Sequence, residues 1–207
     1  FLTTDKTDQK DYSLFSFPCG AFAEEVHNNA EAAGIKAAFV IVFLEEESEP
    51  HALNAFETVD KRLVYIDCTG GDIKSKFLYR IVPTNGGFTS EKCSPTSWDK
   101  VAYVEVGKEY GLISLKMVTS PEYSFYETYM AKVEEYNTEL EAYNQEVKAY
   151  NEALGGRIFL EEPEYSKFMR WYDKLSKEAS RLGELSESLG NWQWEPLGLV
   201  SKIEVYW

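Results

Sequence analysis

The chain has 207 residues and a net charge of −14, from 21 basic and 35 acidic side chains with both histidines neutral. Hydrophobic residues make up 44% of it, so disorder is excluded as the main state, and the length allows one large domain or a domain with an appendage. A chain this acidic repels phosphate backbones and anionic membrane surfaces, so we expect no nucleic-acid partner.

Cysteine content and hydropathy narrow the class of protein further. Cys19, Cys68 and Cys93 allow at most one disulfide and leave at least one free thiol. No closely spaced ligand pair such as Cys-x-x-Cys occurs, so we expect no metal and no cofactor. The longest apolar run, Ala37–Leu44, is far shorter than the roughly 20 residues that span a bilayer, which predicts no membrane insertion.

The first residue is Phe1, in the middle of a sequence pattern. We therefore expect the native chain to extend beyond it, with a signal or an anchor in the preceding segment. This predicts a location outside the cytoplasm or at the cell surface.

Residues 1–120 predict an α+β core domain, because short apolar runs alternate with Gly, Pro, Asn and Thr. A helix is predicted over 19–33, with Pro18 at its start and Gly34 at its end. The continuous apolar run over 36–44 predicts an interior strand. Further strands are predicted at 51–59, 63–68, 77–82, 101–107 and 112–118, the last two as a hairpin.

Residues 121–190 predict a long helical hairpin. Tyrosines recur every seven residues, with apolar residues between them, over 129–154: Tyr129, Tyr136, Tyr143, Tyr150, Val133, Leu140, Val147 and Leu154. A second seam follows Pro163, at Phe168, Leu175, Leu182 and Leu189. The connection between the seams is short and contains Gly155 and Gly156, which predicts antiparallel pairing within one chain and hence a monomer. Two interpretations stay open, a structural brace and a partner-binding coiled coil.

The last segment, 191–207, predicts a strand that returns to the core, and it contains Trp192, Trp194 and an apolar tail.

Three residues, Cys19, His51 and Asp67, have the chemistry of a catalytic triad. Cys19 lies at a predicted helix N-terminus, where unpaired N–H groups and the helix dipole stabilise a thiolate. His51 begins one predicted strand and Asp67 ends the next. Because neighbouring antiparallel strands place the start of one beside the end of the other, we expect these two side chains to meet.

The same residues carry a resemblance to a known family. The segment 19–40, CGAFAEEVHNNAEAAGIKAAFV, resembles the cysteine helix, turn and strand of the transglutaminase-like superfamily of papain-type thiol enzymes. His51-Ala-Leu-Asn54 is similar to the family's His-Ala-Trp-Asn, and 63–69, LVYIDCT, is similar to its strand ending in Asp-Pro-Thr. The resemblance covers residues 12–70 and implies Cys19 as nucleophile, His51 as base and Asp67 as the residue that orients His51.

This resemblance implies thiol-dependent acyl transfer on amide bonds of a protein or peptide substrate. Gly20 stands where the cross-linking animal enzymes have Trp, which favours hydrolysis over cross-linking. The Cys19 N–H is the expected oxyanion donor, with a second donor from Tyr12, Ser13 or Ser16. The alternative is a catalytically idle module of a surface or envelope protein, in which the helical hairpin is the partner-binding or structural element.

Overall fold

The computed structural model describes residues 1–45, 47–60, 62–70, 75–77, 79–84, 87–92, 97–157, 160–190 and 192–207. Within these residues the architecture is α+β, with three α-helices and a six-stranded antiparallel sheet. The helices are α1 (Cys19–Ala32), α2 (Tyr123–Leu154) and α3 (Glu164–Ser188). Among the described residues, no helix combines the length and the apolar composition that a transmembrane segment requires.

The main sheet has the strand order β10-β1-β2-β3-β7-β8, and every neighbouring pair is antiparallel. Its strands are β1 (Ala37–Leu44), β2 (His51–Thr58), β3 (Arg62–Asp67), β7 (Lys100–Tyr103), β8 (Gly111–Ser114) and β10 (Val200–Tyr206). Two smaller sheets pair β4 (Ser75–Phe77) with β9 (Trp192–Trp194), and β5 (Tyr79–Thr84) with β6 (Gly87–Lys92). Strand β1 lies between β10 and β2, as its continuous apolar run predicts.

Helix α1 packs on strands β1 and β2 through a stripe of small and aromatic residues. Phe22, Ala23, Val26 and Ala30 are buried at three- and four-residue spacing. Gly34, with a φ of 74°, turns the chain after the helix ends. The buried Asn54 of β2 donates from Nδ2 to the carbonyl of Ala23 at 2.9 Å, which fixes the helix on the sheet.

Several predicted strand boundaries are wrong. The hairpin predicted over 101–107 and 112–118 is shorter, and 115–117 forms a turn of 3-10 helix instead. Apolar runs continue past the ends of these strands, so periodicity overestimates their length. The strand predicted at 77–82 falls on two elements, β4 and β5, and the tail predicted as one strand forms β9 and β10.

The chain divides into two compact units. One comprises Phe1–Phe77, Ser94–Thr128 and Trp192–Trp207, and the other comprises Leu78–Cys93 and Tyr129–Asn191. The first contains the six-stranded sheet and α1. The second contains α3, most of α2 and the β5–β6 hairpin, whose strand β5 contacts α3.

In the second unit, α2 and α3 pack antiparallel within one chain. The Tyr129 hydroxyl donates to the carbonyl of Leu189 at 2.8 Å. Farther along α2, Glu139 forms an ion pair with Arg181 at 2.9 Å, and Glu146 forms one with Lys174 at 2.6 Å. Residue numbers rise along α2 while those of the contacting residues on α3 fall, so the two helices run antiparallel. The buried seam residues are Tyr129, Val133, Tyr136 and Tyr143 on α2 and Phe168, Leu175, Ala179 and Leu182 on α3.

A close backbone approach requires glycine at position 70. A Cβ on Gly70 would collide with the carbonyl of Lys10 and lie 3.3 Å from the carbonyl of Asp8. We expect Gly70→Ala to lower the free energy of unfolding by about 1–3 kcal/mol, because backbone cannot yield as a flexible side chain can. Urea unfolding measures this. Gly183→Ala in α3 is the control, since its Cβ meets nothing within 4 Å and should stabilise the helix by up to about 1 kcal/mol. Equal stability of Gly70→Ala and the native chain would contradict the close approach.

Candidate active site

Cys19 is the first residue of α1 and lies half-buried in the first unit. Pro18 precedes it in an extended conformation, and the Pro18 carbonyl accepts the N–H groups of Ala21 and Phe22 at 2.9 and 3.2 Å. The first N–H groups of a helix have no partner within the helix, so those of Cys19 and Gly20 are the candidates to bind an anion here.

His51 and Asp67 meet as strand connectivity predicts. Asn54 of β2 pairs with Ile66 of β3, so one step along the register brings Asp67 opposite Leu53 and makes His51 its diagonal neighbour on the same face. His51 Nε2 lies 2.9 Å from Asp67 Oδ2. The His51 side chain is 12% exposed and that of Asp67 is fully buried.

The Cys19 thiol completes this row of side chains. It lies close enough to His51 and to the backbone N–H of Ala52 for both to lower its pKa. Since Asp67 holds Nε2, Nδ1 is the ring nitrogen that remains for Cys19. Burial alone would raise the pKa of Cys19, but the hydrogen bond and charge of His51 lower it below the ordinary value of 9.0.

His51 and Asp67 each favour the charged form of the other, and His51 favours the thiolate of Cys19, which the charge of Asp67 opposes. Burial would lower the pKa of His51, but the charge and hydrogen bond of Asp67, together with Cys19, raise it to about 9. Burial would raise the pKa of Asp67, yet Lys100 and His51 hold it well below its usual range. These shifts favour a charged imidazole beside an ionised carboxylate at neutral pH, and they move Cys19 toward the thiolate.

Sequence reasoning missed three further partners of Asp67. The Tyr110 hydroxyl donates to Asp67 Oδ2 at 3.1 Å, and the Thr69 N–H donates to Oδ1 at 2.8 Å. The ammonium group of Lys100 lies 3.8 Å from Oδ1 and is fully buried. No motif marks Lys100 or Tyr110 in the sequence, and only the pairing of β3 with β7 brings Lys100 beside Asp67.

The other two cysteines differ from Cys19. Cys68 is buried and free, and its thiol donates to Asp99 Oδ1 at 3.2 Å. Burial and the charge of Asp99 raise the pKa of Cys68 well above 9.0, so it stays a thiol. Cys93 lies outside the described residues.

The structure engages two of the residues predicted as a second oxyanion donor, Ser13 and Tyr12, in other contacts. The backbone N–H of Ser13 donates to the Phe17 carbonyl at 3.1 Å, so it is already used. The ring of Tyr12 stacks on Phe22 with 6.5 Å between centroids. The Gly20 N–H, which sequence reasoning did not consider, is the better candidate, because it belongs to the same free helix turn as Cys19.

Among the described residues, no group of three or more His, Cys, Asp or Glu side chains could hold a metal ion. No family model, no curated protein and no solved structure matches this chain.

Proposed function

We propose that the protein is a thiol-dependent acyl-transfer enzyme that acts on amide bonds, by hydrolysis more than by cross-linking. The observation that carries this proposal is the His51–Asp67 pair, with 2.9 Å between Nε2 and Oδ2, beside a Cys19 whose pKa His51 lowers. Nucleophile, base and orienting residue stand in the order that acyl transfer requires. A protein or peptide supplies the amide.

In the first half of the reaction, the Cys19 thiolate attacks the amide carbonyl carbon and forms the carbon–sulfur bond. The N–H groups of Cys19 and Gly20 stabilise the oxyanion of the tetrahedral intermediate. His51 then gives its Nδ1 proton to the leaving nitrogen, and the carbon–nitrogen bond breaks. The products of this half are a free amine, a thioester on Cys19 and a neutral His51.

In the second half, His51 takes a proton from water while the water oxygen attacks the thioester carbon. The carbon–sulfur bond breaks, the acid leaves, and the thiolate and imidazolium return. The space beside the nucleophile favours water as the acceptor. Gly20 carries no side chain beside the nucleophile, and a Cβ there would meet nothing within 4 Å, so the space next to Cys19 is open.

We further propose that the first unit has a papain- and transglutaminase-like core. Its support is the order of elements, in which the cysteine begins a helix packed on an antiparallel sheet and the histidine and aspartate follow on consecutive strands.

The alternative proposal is a catalytically idle module whose α2–α3 hairpin binds a partner or acts as a brace. The feature that favours it is a row of exposed cations along one face of α3, at Lys167, Arg170, Lys174, Lys177 and Arg181, in a strongly acidic chain. Three of these, Lys167, Arg170 and Lys177, make no described ion pair. The two proposals differ in whether Cys19 is reactive.

Alkylation by iodoacetamide tests the proposed function. We expect Cys19 to react far faster than Cys68 and Cys93 at pH 6, because His51 lowers the pKa of Cys19 whereas Asp99 and burial raise that of Cys68. Peptide mass spectrometry after timed quenching measures each rate.

The control is His51→Gln, which keeps a polar side chain but no charge. It should move the midpoint of the Cys19 alkylation profile upward by about one pH unit or more. Equal rates for all three thiols in the native chain would rule out the activated nucleophile and favour the idle module.

A further inference from the structure

Lys100 is a fully buried cation that the mechanism above does not use. It is the first residue of β7, and its Nζ donates to the carbonyls of Thr69 at 2.7 Å and Trp98 at 2.8 Å. Asp67 Oδ1 lies 3.8 Å from the same atom, and the ring of Trp194 lies 5.6 Å away. Two carbonyl acceptors and a carboxylate at ion-pair distance surround this nitrogen, so the geometry fits a charged lysine.

Every side of the Asp67 carboxylate has a partner. Oδ2 faces His51 and Tyr110, and Oδ1 accepts the Thr69 N–H and faces Lys100. Among the residues that the structure describes, His51 and Lys100 are the two cations that face this carboxylate, and of the two only His51 changes charge in the proposed reaction. In the resting site, two cations therefore balance the Cys19 thiolate and Asp67.

This balance changes once the thioester has formed. Cys19 is then neutral, and His51 has given its proton to the leaving amine. Without another cation, Asp67 would be an unpaired buried carboxylate, which is costly in a protein interior. Such a carboxylate would keep a proton bound to the His51–Asp67 pair. His51 would then not be free to take a proton from water.

We propose that Lys100 is a positioning residue of the acyl-transfer site, whose buried ammonium keeps Asp67 ionised while His51 is neutral. This inference rests on the proposed function. Lys100 acts through Asp67, and by sharing that carboxylate it keeps His51 neutral and able to take a proton from water in the second half of the reaction. Tyr110 holds the same carboxylate by a hydrogen bond without adding charge.

The electrostatics around both groups agree with this role. Burial raises the pKa of Asp67, and the charge of Lys100 is the leading influence that lowers it. Burial lowers the pKa of Lys100, while Asp67, Cys68, Asp99 and Asp8 oppose that effect. The Ser97 hydroxyl lies 3.0 Å from Asp8 Oδ2 and 3.1 Å from Asp99 Oδ2, so it links these two acidic groups.

The test is the reaction of the full chain with p-nitrophenyl acetate, which separates acylation from deacylation. Acylation releases p-nitrophenolate and leaves an acetyl thioester on Cys19, and hydrolysis of that thioester limits the steady state. In Lys100→Met, we expect the initial burst to remain and deacylation at pH 7 to slow by about 10-fold or more. The pH midpoint of deacylation should rise by about one unit, because the whole carboxylate charge then stabilises the His51 imidazolium.

Tyr110→Phe is the matched control, since it removes one hydrogen bond to Asp67 and leaves the charges unchanged. We expect it to leave the pH midpoint of deacylation where it is in the native chain. An unshifted midpoint in a folded Lys100→Met would overturn the proposal. So would a Tyr110→Phe midpoint that moves as far as that of Lys100→Met, because the effect would then not come from charge.

A second measurement needs no variant and covers the case in which Lys100→Met does not fold. With Cys19 alkylated by iodoacetamide, the carboxyl carbon of Asp67 can be followed by NMR from pH 5 to pH 10. We expect it to stay ionised over this whole range, on both sides of the His51 titration. An Asp67 carboxyl that is protonated at any pH at which His51 is neutral would overturn the proposal. If the native chain gives neither burst nor turnover, the proposed function fails, whereas the NMR result still decides the role of Lys100.

Discussion

Cys19→Ala is expected to reduce amide hydrolysis to background, a loss of about 10⁴-fold or more, while the chain folds as before. Loss of a nucleophile in a comparable triad removes almost all of the rate that the triad provides. The change removes one sulfur atom at a helix start, in a half-buried position, so we expect little loss of packing. Hydrolysis of a fluorogenic peptide library and thermal unfolding measure the two effects.

Cys68→Ala is the matched control for this substitution. Cys68 is buried, and its thiol donates to Asp99, so its removal should destabilise the chain by about 1–2 kcal/mol and leave the rate per folded molecule unchanged. Full activity in Cys19→Ala would exclude Cys19 as the nucleophile. A loss of activity in Cys68→Ala but not in Cys19→Ala would identify Cys68 as the nucleophile.

Asp67→Asn is expected to lower both the rate of hydrolysis and the stability of the fold. An amide in this position can hold His51 in the wrong tautomer, and we expect the rate to fall by about 10-fold or more. The substitution also leaves the buried Lys100 without its anionic partner, a change that costs about 3–5 kcal/mol in other buried ion pairs. Activity assays and urea unfolding at several pH values measure both quantities.

The effect of Asp67→Asn on stability should also depend on pH, through the charge of His51. Asp67 is the main reason that the pKa of His51 rises from 6.5 to about 9. The stability that a charged His51 contributes is complete below pH 6.5 and is lost as the pH rises through about 9. In Asp67→Asn we expect this loss to begin nearer neutral pH.

Asp60→Asn, in the exposed turn between β2 and β3, is the control and should change neither rate nor stability. An unaltered rate in Asp67→Asn would leave Asp67 a structural role only.

Much of the local structure could be predicted because local sequence determines it. The helix predicted over 19–33 is observed as Cys19–Ala32, since Pro18, the alanine-rich interior and Gly34 all act within a few residues of it. The strand predicted over 36–44 is observed as Ala37–Leu44. The tyrosine heptad likewise predicts the α2 seam, and its tight connection to the second seam predicts the antiparallel direction.

The contact between His51 and Asp67 was also within reach of the sequence. One short turn joins β2 and β3, so the start of one strand must lie beside the end of the other, and the 2.9 Å separation agrees with that expectation. Their catalytic roles, and that of Cys19, stay predictions until the experiments above are done.

The surroundings of Asp67 were decided by the tertiary structure alone. More than 30 residues separate Asp67 from Lys100, and the sequence between them does not specify that β7 pairs with β3. Tyr110 lies farther along still and faces Asp67 only once β7 and β8 have joined the sheet. The sequence by itself therefore determined the helix that begins at Cys19, the strand pair that joins His51 to Asp67 and the seam of the helical hairpin, because each depends on short-range periodicity and connectivity. Tertiary structure decided which buried charge balances Asp67, because a lone lysine in a strand has no local pattern and its burial depends on contacts between segments distant in the chain.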